Sequence, residues 1–177
     1  MHNYITTYSG EKIDPLNPRE EQINIKDISH ALSLLCRGSG HIEHFYSVAQ
    51  HCVNCAKEAR ARGYSNRIQL ACLMHDGSEA YVSDITRPVK KHLPRYLEIE
   101  DNFQATVYRK FLGEELTKEE EGTIQKIDDD VLVWELIAIM KRDKPKVMPE
   151  LKSSPVFDFL EFSEVEKEFK EIYESLI

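Results

Sequence analysis

The residues with chemistry to offer begin with an adjacent pair, His75-Asp76, at the end of the apolar run Leu70-Ala71-Cys72-Leu73-Met74. Two polar side chains carried toward a core need partners there, because a buried polar group without one is costly. A shared cation is one such partner. Imidazole nitrogen together with carboxylate oxygen suits a borderline divalent metal such as zinc, manganese, cobalt or iron. Two ligands do not make a site, so further donors must come from neighbouring elements. His51 lies beside an apolar helical face that includes Val48 and Cys55, and from there it can reach the core. The run Asp128-Asp129-Asp130 offers a carboxylate, and periodicity separates its members. At about 100° per residue, Asp128 falls near the middle of the stripe Ile124, Ile127, Val131, Leu132, Leu136 and Ile139. Asp129 and Asp130 point away from that stripe and read as a solvated charge run. A carboxylate in the centre of a buried face is expected to be paired or metal-bound. Taken alone, His51 reads more readily as a hydrogen-bonded helix histidine, and a His-Asp dipeptide occurs by chance in many chains. Three helices each presenting an inward polar group carry the metal reading.

The elements that must position these residues are helical. Residues up to about Asn24 are rich in Pro, Asn and Tyr and read as an irregular arm with room for a short hairpin. Asp27 is a candidate cap for a helix whose apolar positions are Ile28, Ala31, Leu32 and Leu35, ended by Gly38-Ser39-Gly40. A second helix is expected from about Phe45 to Arg62 with Gly63 as its stop. A third starts near Ser65 and runs to His75, and a fourth covers about Arg95 to Leu112. Pro88 and Pro94 mark a loop region or short turns between them. Thr117 and Glu120 form a capping box before a long fifth helix ending near Lys141. A last amphipathic helix uses Val165, Phe169, Ile172, Tyr173 and Leu176. No strand alternation, repeat or low-complexity segment stands out. The fold reads as all-α, in one domain spanning residues 1–177.

Bulk properties narrow the function. The 177 residues carry a net charge of −8, which argues against duplex nucleic acid as a partner. A small anion remains possible through a local basic pocket. No apolar run is long enough for a membrane span, and Met1-His2-Asn3-Tyr4-Ile5 does not resemble a secretory signal, so a cytoplasmic protein with reduced thiols is expected. The cysteines are Cys36, Cys52, Cys55 and Cys72. Cys52 and Cys55 have the Cys-x-x-Cys spacing used by zinc and redox sites. No second pair follows and both fall on an apolar helical face, so they read as small buried thiols.

The ordered pattern His51, His75-Asp76, Asp128 resembles the HD-domain phosphohydrolase superfamily. Tyr46-Ser47-Val48-Ala49-Gln50-His51, Leu73-Met74-His75-Asp76-Gly77-Ser78-Glu79-Ala80-Tyr81 and Asp84-Ile85-Thr86-Arg87-Pro88-Val89-Lys90 are similar to blocks of one subgroup. That subgroup holds the bacterial HD-domain 5'-deoxynucleotidases and the small phage dATP triphosphohydrolases. The resemblance covers about Ile25 to Met140. It implies a compact helical HD bundle and a divalent metal (Zn, Co, Mn, Fe or Mg) held by His51, His75, Asp76 and Asp128. It implies that Glu79 handles the attacking water, that Arg37 and Lys90 face phosphate, and that Asp84 contacts the sugar. Relatives of this size form dimers or rings, so a homo-oligomer is expected. The last helix, with Phe162, Phe169, Ile172 and Tyr173, is a candidate interface, which core packing explains equally well. One departure stands out. The subgroup often places an aromatic residue after the arginine, where this chain has Gly38; base stacking is left to Phe45 or Tyr46.

Three functions follow from these residues. The first is hydrolysis of a nucleotide phosphate, either a deoxynucleoside monophosphate or a dNTP, with Asp76 and Glu79 at the chemistry. The second is a non-catalytic HD-fold nucleotide sensor, against which the water-handling Glu79 argues. The third is a structural zinc staple, which fits poorly because closed structural sites favour thiolates. Lys90 beside Arg37 tilts the first reading toward a longer phosphate chain.

Overall fold

A computed structural model describes residues 3–177 of the chain. Among them the architecture is all-α: eight helices and one two-stranded hairpin, with no helix long and apolar enough to cross a membrane. The hairpin is the one anticipated in the N-terminal arm. Its strands β1 (Ile5–Thr6) and β2 (Lys12–Ile13) pair antiparallel, Ile5 opposite Ile13. Helix α1 (Ile25–Leu34) is capped by Asn24, whose side chain accepts from the Asp27 amide. Asp27, proposed as the cap, is instead buried in the first turn. It accepts the Ser9 amide at 2.6 Å and the Ser9 hydroxyl at 2.8 Å, tying the hairpin to the helix. The spacing of apolar residues shows where a helix lies but not which polar neighbour finds a tertiary partner.

The centre of the molecule is α2 (Val48–Ala61), capped by Ser47 and covered on all sides. Its apolar residues pack against α3 (Asn66–Met74) and α8 (Phe162–Leu176). The other face of α2 and α3, with Cys55, Ala59, Ala71 and Cys72, packs against α7 (Lys118–Ala138). The Thr117–Glu120 capping box of α7 forms as its sequence predicts, with both reciprocal bonds present. The Pro-containing stretch before α6 (Pro94–Leu112) contains α4 (Glu79–Val82) and α5 (Arg87–Lys90), one turn each. In α8, Phe169 and Val165 are buried in the core, Ile172 and Tyr173 pack against it, and Phe162 is exposed. Core packing therefore accounts for most of the apolar face of that helix.

A stripe of polar residues on α2, Gln50, Asn54 and Glu58, is buried and satisfied by an irregular return segment between α7 and α8. Gln50 donates to the carbonyls of Val156 and Asp158, and Asn54 donates to the carbonyl of Val156. Glu58 accepts the amides of Lys152 and Ser153 and the Ser153 hydroxyl. The spacing i, i+4, i+8 keeps all three on one face of the helix. This segment also covers a side of α7 that phase alone leaves to solvent. Asp130, read as solvated, is there 8% exposed and bound to Arg62 at 2.9 Å, while Trp134 donates to the Pro149 carbonyl. Asp129 is exposed, as its phase predicts.

Candidate metal centre

Three elements converge on one point. His51 comes from the second turn of α2, His75 and Asp76 from the end of α3, and Asp128 from the middle of α7. Their donor atoms lie close together. His51 Nε2 is 3.1 Å from His75 Nε2, 3.0 Å from Asp128 Oδ1 and 3.9 Å from Asp76 Oδ2. His75 Nε2 is 3.4 Å from Asp76 Oδ2 and 3.8 Å from Asp128 Oδ1. Donors about 2.0–2.2 Å from one ion stand roughly 3–3.5 Å from each other at tetrahedral to octahedral angles, close to this spread. The structure thus brings together all four residues selected as ligands.

The hydrogen bonds behind the ligands orient them. His75 Nδ1 donates to the Cys72 carbonyl at 2.7 Å. His51 Nδ1 donates to Glu135 Oε1 at 2.6 Å, and Tyr46 donates its hydroxyl to the same oxygen at 2.8 Å. With both Nδ1 atoms donating, each imidazole in its neutral form presents an Nε2 lone pair, as metal-bound histidines do. The two Nε2 atoms face each other and Asp128 Oδ1, a buried oxygen 3.0 Å from His51 Nε2 that has no donor while the imidazoles are neutral. A proton can serve two of these acceptors, whereas a divalent ion serves all three, with Asp76 Oδ2 beside them and held by Arg37. The residues present therefore fit a metal ion.

The electrostatics point the same way. Burial pulls His75 down, but Asp76, Cys52 and Asp128 outweigh it and hold the imidazole well above its ordinary range. Burial and Arg37 oppose a charge on His51, yet Cys55, Glu135 and Asp128 raise it too. Asp128 is held far below the usual carboxylate range by His51 and His75 despite its burial. The cluster demands positive charge between its imidazoles and carboxylates.

Glu135 was missed by the reading of sequence. It is 2% exposed and braces His51. Its signal was available: it stands seven residues after Asp128, about 20° from it on the helix. Arg87 was quoted within a sequence block but given no role. It donates to Asp128 Oδ2 and, at 2.7 Å, to Asp129 Oδ1. That fork leaves Oδ1 of Asp128 turned toward the imidazoles.

The centre borders a cavity of about 370 Å³. Arg37, Asp76, Glu79, Asp84, Lys90 and Asp128 all line it. Arg37 is placed by pairing of residues 35–37 with 46–48, including its amide to the Tyr46 carbonyl at 2.9 Å. Its guanidinium lies 3.1 Å from Asp76 and 3.6 Å from Glu135. Glu79 opens α4, and its Oε2 is buried without a hydrogen-bond partner. Burial, then the charges of Asp76 and Asp84, hold this carboxyl well above the ordinary range. Lys90 is engaged by Glu100 at 2.6 Å and Glu79 at 3.5 Å. Asp84 accepts the Gly38 amide at 3.1 Å.

The cavity also has an apolar lining, from Ile42, Leu132, Leu136, Ile139 and Met140. Neither aromatic proposed for base stacking lines this cavity. Tyr46 is fully buried with its hydroxyl committed to Glu135, and Phe45 stands outside the cavity wall. Gly38 has φ +59°, so a side chain there is strained, and a Cβ added to it would lie 4.0 Å from Met140 Cε.

No protein-family model matches this chain. It is 39% identical over 111 residues to YfdR of Escherichia coli (strain K12), described as an uncharacterized protein, across 62% of this chain and 58% of that one. It is 36% identical over 109 residues to the uncharacterized protein RCAP_rcc00048 of Rhodobacter capsulatus, across 58% of this chain and 55% of that one. The match therefore spans a little over half the length of these relatives.

Proposed function

We propose that this protein is a metal-dependent phosphohydrolase of the HD-domain type acting on deoxynucleotides. The observation that carries the reading is the convergence of His51, His75, Asp76 and Asp128 beside a cavity lined by both charged and apolar side chains. A divalent ion bound there would supply Lewis acidity and a more acidic water. The chain's own residues do the rest. Glu79 presents a buried, unpartnered carboxylate oxygen to the cavity and holds or accepts a proton from water. Arg37 offers a planar set of donors suited to phosphate oxygens. Asp84 also lines the cavity and offers a carboxylate to a sugar hydroxyl. The apolar lining takes the base by side-chain contact with Leu136, Ile139 and Met140 in place of an aromatic stack.

Lys90, paired with Glu100 and Glu79, and Arg87, paired with Asp128 and Asp129, are further cations that line the cavity. Release of orthophosphate from a monophosphate and release of triphosphate from a dNTP both remain within this proposal. The test is product analysis on dAMP and dATP with Mn2+ or Co2+. Turnover of one or both is expected, and Asp76→Ala should abolish it and metal uptake while the helical circular dichroism persists. Full activity in Asp76→Ala would refute the proposal. Tight nucleotide binding without turnover would favour the sensor.

A further inference from the structure

We propose that Cys55 is a ligand of the same centre, so that the site takes a thiophilic ion such as Zn2+ or Co2+ in preference to Mg2+ or Mn2+. This rests on the metal centre proposed above and adds a donor to it. Cys55 stands one turn after His51 on the same face of α2, and its Sγ lies 3.6 Å from His51 Nε2. Metal–sulfur and metal–nitrogen bonds of about 2.3 and 2.1 Å that meet at a tetrahedral angle place the two atoms roughly 3.6 Å apart. The Sγ also lies within 4.8 Å of ligand atoms of both His75 and Asp128. Cys52, although nearer in sequence to His51, forms a separate group with His75 and Asp76 only.

Cys55 thus completes a group of four with His51, His75 and Asp128, and Asp76 meets that group at the two imidazoles, 3.4 Å from His75 Nε2 and 3.9 Å from His51 Nε2. The thiol is 1% exposed, and its Sγ lies within hydrogen-bond reach of His51 Nε2, whose lone pair in the neutral imidazole faces the centre. A protonated Cys55 would compete with an ion for that lone pair. A thiolate would instead supply one of the ion's bonds. Binding forms one metal–sulfur bond and releases the thiol proton to solvent, with no change in oxidation state. Thiolate ligation favours softer ions, whereas an all nitrogen and oxygen set admits manganese and magnesium more readily.

The test titrates the full-length protein with Co2+ and records its electronic spectrum. The expected result is a sulfur-to-cobalt charge-transfer band in the near ultraviolet. Cys55→Ser should lose it, and Cys52→Ser and Cys72→Ser should keep it. Cys55→Ser should also weaken Zn2+ binding far more than Mn2+ binding. X-ray absorption of the unmutated zinc-loaded protein should show one sulfur scatterer at about 2.3 Å, which needs no variant to fold. Cobalt bound with no sulfur band, or a band lost only with Cys52→Ser, would overturn the role of Cys55 and leave the centre itself standing. Failure to take up Co2+ or Zn2+ at all would overturn both.

Discussion

Replacing Glu135 by glutamine keeps the shape of the centre and removes a charge behind it. In the native protein Glu135 Oε1 accepts from His51 Nδ1 and from the Tyr46 hydroxyl, while Oε2 lies 3.6 Å from Arg37 Nε. Glutamine has one oxygen for these donors. If that oxygen keeps His51 and Tyr46, the amide nitrogen replaces Oε2 and sets a donor against the Arg37 Nε–H. If the amide turns over, a donor meets His51 Nδ1, and the imidazole must move its proton to Nε2, where it blocks the ligand lone pair. Either arrangement weakens the ligand. Loss of a carboxylate that orients a metal-binding histidine costs about 10- to 100-fold in metal affinity, or about 1.4–2.7 kcal/mol. Glu135→Gln should therefore bind Zn2+ at least tenfold more weakly by chelator competition, with little change in helical circular dichroism. Glu135→Ala leaves Arg37, His51 and Tyr46 facing an uncompensated space and should also destabilise the fold by about 3–5 kcal/mol. Zinc affinity in Glu135→Gln within twofold of native would refute the bracing argument.

Glu79 titrates above the ordinary carboxylate range, so its proton-accepting form appears only as pH rises through that raised value. The acid limb of kcat/KM should accordingly stand above the ordinary glutamate value, and Glu79→Gln should remove the limb and lower kcat by about 10²- to 10⁴-fold; an unchanged limb in the variant would count against the assignment. Glu58 behaves in the opposite sense. Its hydrogen bonds to Ser153, Lys152 and Arg62 hold it below its ordinary value despite burial. Its stabilising contribution is present above the unfolded carboxyl's pKa and is lost as pH falls through the lower folded value. Urea midpoints at neutral pH should place Glu58→Ala about 3 kcal/mol below the native protein, and the gap should narrow as the medium is acidified below the ordinary glutamate range. A gap independent of pH would mean that packing, not the carboxylate, holds that segment.

The legible part of this molecule was what periodicity and local chemistry control. The Thr117–Glu120 box, the Ser65 start of α3 and the choice of Asp128 from three aspartates all follow from positions within one helix. What escaped depended on a second segment. Asp130 is buried because residues near 149–150 lie over a flank of α7. Asn24, not Asp27, caps α1 because the helix starts at Ile25, and Asp27, in its first turn, accepts instead from Ser9 of the hairpin. Glu135 was hidden differently: a charged residue in a buried stripe looked like an interruption of the pattern, when its seven-residue separation from Asp128 put it behind the same centre. Arg87 and Lys90 show the limit for cations. Arg87 was given no role and Lys90 was expected to face phosphate; their carboxylate partners, Asp128 and Glu100, were set by folding.

The return segment that crosses Gln50, Asn54 and Glu58 has a consequence for how the chain can be divided. Its backbone amides and carbonyls act as a surrogate solvent for the polar side of α2, giving three buried side chains the hydrogen bonds that water would otherwise provide. A chain cut just before this segment would keep α1 to α7, and so every proposed metal ligand. It would also leave an amide, a second amide and a carboxylate stranded on the helix that carries His51. The last thirty residues are thus not an appendage to the metal centre. They are what allows its central helix to be buried at all.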